Sequence, residues 1–189
     1  MKILPWKDKS NPIQPHWSKV KIYEKIINYA DDGEKNIITI TDEDSNDAAF
    51  FITKWPHANI TPINRNKLKS RTMCCHVIND VHGWIDGCID GTPLYDFNPS
   101  PITVREFINR KYDRKYNIIF LDYCDVVDEE EISDFISSYA AEAGIIVITA
   151  KEMTKFNILG NISTDMIENF QYISGNDTAM MAAFFKWKR

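Results

Sequence analysis

Apolar residues along this chain change their spacing from segment to segment, and each change marks an element. Val20, Tyr23, Ile26 and Ile27 recur at helical intervals behind Ser18, so a helix is expected from Ser18 to about Ala30. Asp31-Asp32-Gly33 ends it, with Gly33 placed for a left-handed cap. The β-branched run Asn36 to Thr41 reads as a short strand. An acidic loop, Asp42 to Asp47, leads into a helical pattern from Ala48 to Trp55. Asn59 to Asn64 then reads as a second strand whose proline suits a sheet edge. The turn-rich stretch that follows gives no clear element until Thr103, an N-cap for a helix through Tyr112.

Asn117 to Tyr123 is an unbroken apolar run, the pattern of a strand covered on both faces. Asp128 to Ala143 begins with acids that suit a helix N-terminus and sets Ile132, Phe135, Ile136 and Tyr139 at helical spacing. Gly144 opens a second buried strand, Ile145 to Thr149, and two strands joined by a tight turn, Met166 to Ser174 and Ala179 to Trp187, close the chain. Helix and strand alternate before a final hairpin, which predicts an α/β open, mainly parallel sheet. Residues 1–17, rich in proline and tryptophan, read as an N-terminal arm, and 18–189 as one domain.

With 189 residues, 44% hydrophobic and 26% charged, the composition is that of a globular domain. Apolar runs such as Ala179 to Phe185 fall well short of the ~20 residues of a membrane span, so no membrane partner is expected. Residues 1–15 hold no secretory h-region, and Cys74, Cys75, Cys88 and Cys124 are expected as reduced thiols in a cytoplasmic setting. Cys74, Cys75, His76, His82 and Cys88 are metal-type ligands without the paired C-x2-C spacing of structural zinc sites, so no metal is assigned to them. Asp80, His82 and Asp86 fall close together as a candidate acid–base group, and a surface loop turning on Gly83 and Gly87 explains them as well. A net charge of −5 argues against general polyanion binding. Nucleic acid would have to meet one of two local basic runs: Lys54, Arg65, Lys67, Lys69 and Arg71, or Arg110, Lys111, Arg114 and Lys115.

Three segments carry a family resemblance: Ile37 to Asn66, Lys115 to Asp125 (KYNIIFLDYCD) and the ending FQYISGNDTAMMAAFFKWK. In order and spacing they resemble a class I S-adenosylmethionine-dependent methyltransferase domain, over residues 20–188. The resemblance implies a single Rossmann-like domain with a first strand leading to a glycine-rich cofactor loop and a second ending in a ribose-binding acid. It also implies a fourth strand that carries the motif beside the reacting centre. On this chain the loop positions are Thr41, Glu43 and Ser45, the ribose position is Asn64, and the reacting-centre positions are Asp122 and Tyr123.

The chain departs from the family at those places. Thr41, Glu43 and Ser45 stand where glycines let the backbone approach the cofactor. Asp42, Glu43 and Asp44 put like charge where the cofactor's own carboxylate would lie. Asn64 loses the charge-assisted bond to ribose. Asp122-Tyr123-Cys124-Asp125 lacks the prolines of the N-P-P-Y turn found in amino-group methyltransferases.

The expected function is therefore a methyltransferase-like protein degenerate in S-adenosylmethionine binding, with no cofactor, acting as a scaffold or stimulatory subunit through a protein partner or as a homo-oligomer. The alternative is an active, divergent enzyme that uses S-adenosylmethionine, with nucleic acid among its candidate substrates, Asp122 and Tyr123 near the acceptor and Asn64 on the ribose. Two further readings rest on the same acids. Asp42, Glu43 and Asp44 with Asp122 and Asp125 would form an acidic rim suited to Mg2+ or Ca2+. A resemblance to phosphoacceptor receiver domains would make Asp122 the phosphoacceptor and Thr149 the switch hydroxyl, with Asp42 and Glu43 as the metal pair and Lys151 nearby. Among the five tryptophans, Trp6 and Trp17 make the arm the candidate docking segment.

Overall fold

The computed structural model describes residues 17–40, 47, 50, 51, 54, 55, 57–63, 103–123, 127–151, 164–174 and 177–188. Helix α1 (Trp17–Tyr29) is followed by strands β1 (Asn36–Ile40) and β2 (Asn59–Ile63). Then come α2 (Val104–Asn109), β3 (Tyr116–Asp122), α3 (Glu129–Tyr139), β4 (Ala140–Ala150), β5 (Thr164–Ile173) and β6 (Ala179–Lys188). The six strands form one sheet in the order β2-β1-β3-β4-β6-β5. β2, β1, β3 and β4 run parallel, and β6 is antiparallel to both β4 and β5. This is the expected single α/β domain, a mainly parallel sheet closed by a C-terminal antiparallel hairpin. The two antiparallel ladders have no place in a receiver-like layout.

Alternation along the strands divides the core into two layers. Ile37, Ile60, Ile118, Phe120, Ile145, Val147 and Phe184 pack against α1 and the helical positions Phe50 and Phe51. Ile38, Ile119, Leu121, Ile146, Ile148 and Phe185 pack on the other face, against Val104 and Phe107 of α2 and Ile132, Phe135, Ile136 and Tyr139 of α3. Trp187 fills the end of this second layer, its indole N–H donating to the Ala141 carbonyl at 3.0 Å. Trp55, the other described tryptophan ring, stacks on Phe51.

Local signals explain most boundaries. Gly33 turns the chain after α1 with φ +110°, and Lys35 closes the same turn by donating to the Gly33 carbonyl at 2.9 Å. Thr103 forms a reciprocal capping box with Glu106 at the start of α2. Asp128 caps α3 by accepting from the Glu131 N–H at 3.0 Å.

Two expectations are corrected. Helix α2 ends at Asn109 rather than Tyr112, because Lys111 adopts a left-handed φ of 51° that breaks the helix. Helix α3 ends at Tyr139, and Ala140–Ala143, expected as helix, begin β4. Gly144 therefore lies inside the strand instead of opening it. A Cβ there would sit 2.1 Å from the Asn117 carbonyl oxygen and 2.5 Å from the Trp187 ring, so glycine is required for close approach. No helix among the described residues is long and apolar enough to cross a membrane.

Candidate functional site

Open α/β sheets bind ligands beyond the carboxyl ends of their strands, where the strand order reverses. Here the chain runs outward to β2 from β1 and in the opposite direction to β4 from β3, so the reversal falls between β1 and β3. These two pair in parallel from Ile37–Ile118 to Ile40–Leu121. Asp122 ends β3 at this point, buried to 9% exposure.

Both oxygens of the Asp122 carboxylate are taken by the chain itself. The Lys19 ammonium, from the first turns of α1, donates to Oδ2 at 2.5 Å. The Thr149 hydroxyl, opposite Asp122 in the β3–β4 ladder, donates to Oδ1. Backbone pairing continues past the strand end, where the Tyr123 N–H donates to the Thr149 carbonyl at 2.8 Å. One strand away, the Thr39 hydroxyl of β1 donates to the Asp47 carboxylate, and both residues are buried. The floor of the crevice is thus built of carboxylates held by hydroxyls and an ammonium, the usual condition for charge out of water.

Lys19 reaches Asp122 because of its place on α1. It shares a helical stripe with Ile22, Tyr23 and Ile26, three residues buried against the sheet. A lysine in a first helical turn opposes the helix dipole, so its position there follows from the carboxylate it meets.

Tyr123 points elsewhere. Its ring packs in the second core layer, and its hydroxyl donates to Glu131 Oε1 of α3 at 3.1 Å. Arg105 of α2 lies 3.8 Å from the same Glu131 side chain and 2.9 Å from Asp134. Burial, and then the neighbouring Glu131 charge, push the Tyr123 phenol well above its usual range, so it stays protonated. Asp122 faces α1 and Tyr123 faces α3, on opposite sides of the sheet. The two residues assigned together to the reacting centre are adjacent in sequence and separated in space.

The remaining assigned positions, Thr41, Glu43, Ser45 and Asn64, lie outside the described residues. So do Asp42, Asp44 and Asp125 of the acidic rim, the Cys74–Cys88 cluster, the loop from Asp80 to Gly87, and Trp6. Among the described residues no three His, Cys, Asp or Glu side chains meet as a metal site. The described acid at the switch point is paired by Lys19 and Thr149, and the sequence after β1 carries three consecutive carboxylates, Asp42, Glu43 and Asp44.

Sequence reasoning singled out Asp122 and Tyr123 but missed their partners Lys19, Thr149 and Glu131 in these roles. The basic residue interrupting the apolar stripe of α1 was the available signal for Lys19. Thr149 follows from the register of two buried parallel strands. Glu131 gave no signal, being one of three consecutive acids at a helix start.

No protein-family model matches the sequence, and no curated protein matches it either. Solved structures do resemble it. An rRNA methylase from Streptococcus thermophilus superposes with a TM-score of 0.59 at 12% identity, over 90% of this chain and 97% of that one. A precorrin-6y C5,15-methyltransferase from Geobacter metallireducens gives 0.57 at 12% identity, over 89% and 87%. Strand order, the terminal hairpin and these superpositions agree: the chain has the Rossmann-like fold of class I S-adenosylmethionine-dependent methyltransferases.

Proposed function

We propose that this chain is a non-catalytic member of the methyltransferase fold, degenerate in S-adenosylmethionine binding, that works as a scaffold or stimulatory subunit. The observation that carries the reading is the closure of Asp122 by Lys19 and Thr149. An acid that orients or deprotonates an acceptor needs a lone pair directed at it. Here the Lys19 ammonium and the Thr149 hydroxyl each occupy one lone pair, one on each oxygen, so an acceptor would have to compete with partners already in place. The direction of Tyr123 supports the same reading, because its hydroxyl is anchored to α3 and away from the switch point. The loop sequence Thr41 to Asp47 adds like-charge repulsion toward the cofactor's carboxylate.

Transfer from methyl-labelled S-adenosylmethionine to total RNA and to total protein tests the proposal. The expected result is no incorporation above a protein-free blank. Incorporation that disappears in Asp122→Asn overturns it and establishes the active alternative, with the labelled fraction naming the acceptor class.

A further inference from the structure

Several cations of this fold are committed to carboxylates on other elements: Lys19 to Asp122, Lys25 to Glu168, Arg105 to Asp134 and Lys186 to Asp31. The loop from α2 to β3 is different. From Arg110 to Lys115 it carries four cations and one acid, Asp113, on a chain of net charge −5. Arg110, Lys111 and Lys115 are exposed, and among the described residues no carboxylate forms an ion pair with any of the three. The nearby Glu106 carboxylate is engaged instead by the backbone and hydroxyl of Thr103. We infer that this loop is a docking surface for the phosphodiester backbone of single-stranded nucleic acid.

The loop is held in place by its neighbours, so little ordering is left to be done on binding. The Tyr112 ring packs on Phe107 with centroids 4.8 Å apart, and its backbone N–H donates to the Tyr139 hydroxyl at 3.3 Å. Tyr139 in turn donates to the Phe107 carbonyl at 2.9 Å. Lys115 caps α3 by donating to the Ser138 carbonyl, which gives one of the cations a task in the fold. Arg110 gives one guanidinium nitrogen to the Tyr112 hydroxyl at 3.2 Å, and its other N–H groups can fork onto a phosphate. Lys111 sits at a φ of 51° with its side chain exposed.

Two further observations set the partner's class and its place. The large hydrophobic side chains exposed among the described residues are Met166, Ile167 and Ile173, none of them on this loop. A protein interface centres on apolar or aromatic anchors, and a membrane-surface segment buries an apolar face. Nucleic-acid interfaces are the polar, strongly positive class. The loop leads into Tyr116 at the start of β3, whereas Asp122 ends the same strand, roughly 20 Å away at strand rise. The surface is thus separate from the crevice, and the inference is independent of whether the chain is catalytic. The other basic run, from Arg65 to Arg71, lies outside the described residues.

Fluorescence anisotropy of the full chain with labelled single-stranded RNA, and with single-stranded DNA of equal length, tests it across a salt series. Binding is expected with a Kd of about 10–100 µM near 50 mM salt, and with a log–log salt slope of about −2 for three phosphate contacts. Arg110→Gln and Lys111→Asn are each expected to weaken binding about five- to tenfold at low salt and to flatten the slope by about 0.7, with the circular dichroism melt unchanged. Lys21→Gln, at an exposed position of α1, removes the same charge elsewhere and is expected to leave binding intact. A strand preference names RNA or DNA as the source, and supports the inference when both loop substitutions weaken it. No anisotropy change up to about 1 mM protein overturns the inference. So does binding that Arg110→Gln and Lys111→Asn leave unchanged, or that Lys21→Gln weakens equally. Tighter binding to polyglutamate or to phosphatidylserine vesicles than to either strand also overturns it.

Discussion

Replacing Lys19 with methionine keeps an unbranched stem of similar length on α1 and removes the charge that meets Asp122. Removing one partner of a buried ion pair costs roughly 3–5 kcal/mol, because the other charge is left in a poorly solvated place. Two features lower that figure here. The Lys19 side chain is 19% exposed, which lets water reach the vacated position, and the Thr149 hydroxyl continues to donate to Asp122. The expected loss is therefore about 2–3 kcal/mol, or a fall in Tm of roughly 4–12 °C for a chain of this size. Urea unfolding gives the free energy directly, and a cycle with Asp122→Asn isolates the pair. In the Asp122→Asn background the same Lys19 change is expected to cost about 1 kcal/mol or less. If Lys19→Met shifts stability by under about 0.5 kcal/mol and adds simply to Asp122→Asn, the pair is worth no more than a surface contact. The Asp122 carboxylate would then be available to a ligand.

Other consequences follow from the packing. Gly144→Ala forces a methyl to 2.1 Å from a backbone oxygen and is expected to cost about 3 kcal/mol or more in urea unfolding. Thr103→Ala removes the capping box of α2 and is expected to cost about 1 kcal/mol, read as a small loss in Tm. Glu168→Gln tests the tie between α1 and β5. Hydrogen bonds from Lys25 and Tyr29 hold the Glu168 carboxyl below its ordinary value of 4.5. The folded state then binds protons less readily than the unfolded one, so the contribution is complete above that value and fades as pH falls through the lowered folded value. At pH 7 the substitution is expected to cost about 0.5–1 kcal/mol, and wild type and variant are expected to converge once pH falls below the lowered folded value.

The layered fold was legible because its strands are continuous apolar runs with unambiguous flanks. Asn117 to Tyr123 reads as a doubly covered strand, and β3 is buried at every position but Asn117. The parallel β1–β3 pair follows from the family order and is present in register. Ala140–Ala143 misled because alanine and glutamate favour helices, while β4 gains ladder partners as far as Lys188 of β6. Local preference lost to pairing between residues more than forty positions apart. In the site, Asp122 was legible as the polar end of a buried strand. Its closure was not, because nothing in the spacing of residues 19, 122 and 149 states that α1 crosses the ends of β3 and β4. The opposite directions of Asp122 and Tyr123 follow from strand alternation, a rule that was available and outweighs their adjacency in sequence.

The most direct test is isothermal titration of the purified protein with S-adenosylmethionine and S-adenosylhomocysteine, with wild type and Lys19→Met side by side. Binding does not depend on knowing the acceptor, so it probes the crevice alone. The account predicts no heat from either ligand for wild type up to millimolar concentration. Micromolar binding by wild type would contradict it, and would mean that the crevice accepts the cofactor despite the acidic loop and the closed carboxylate.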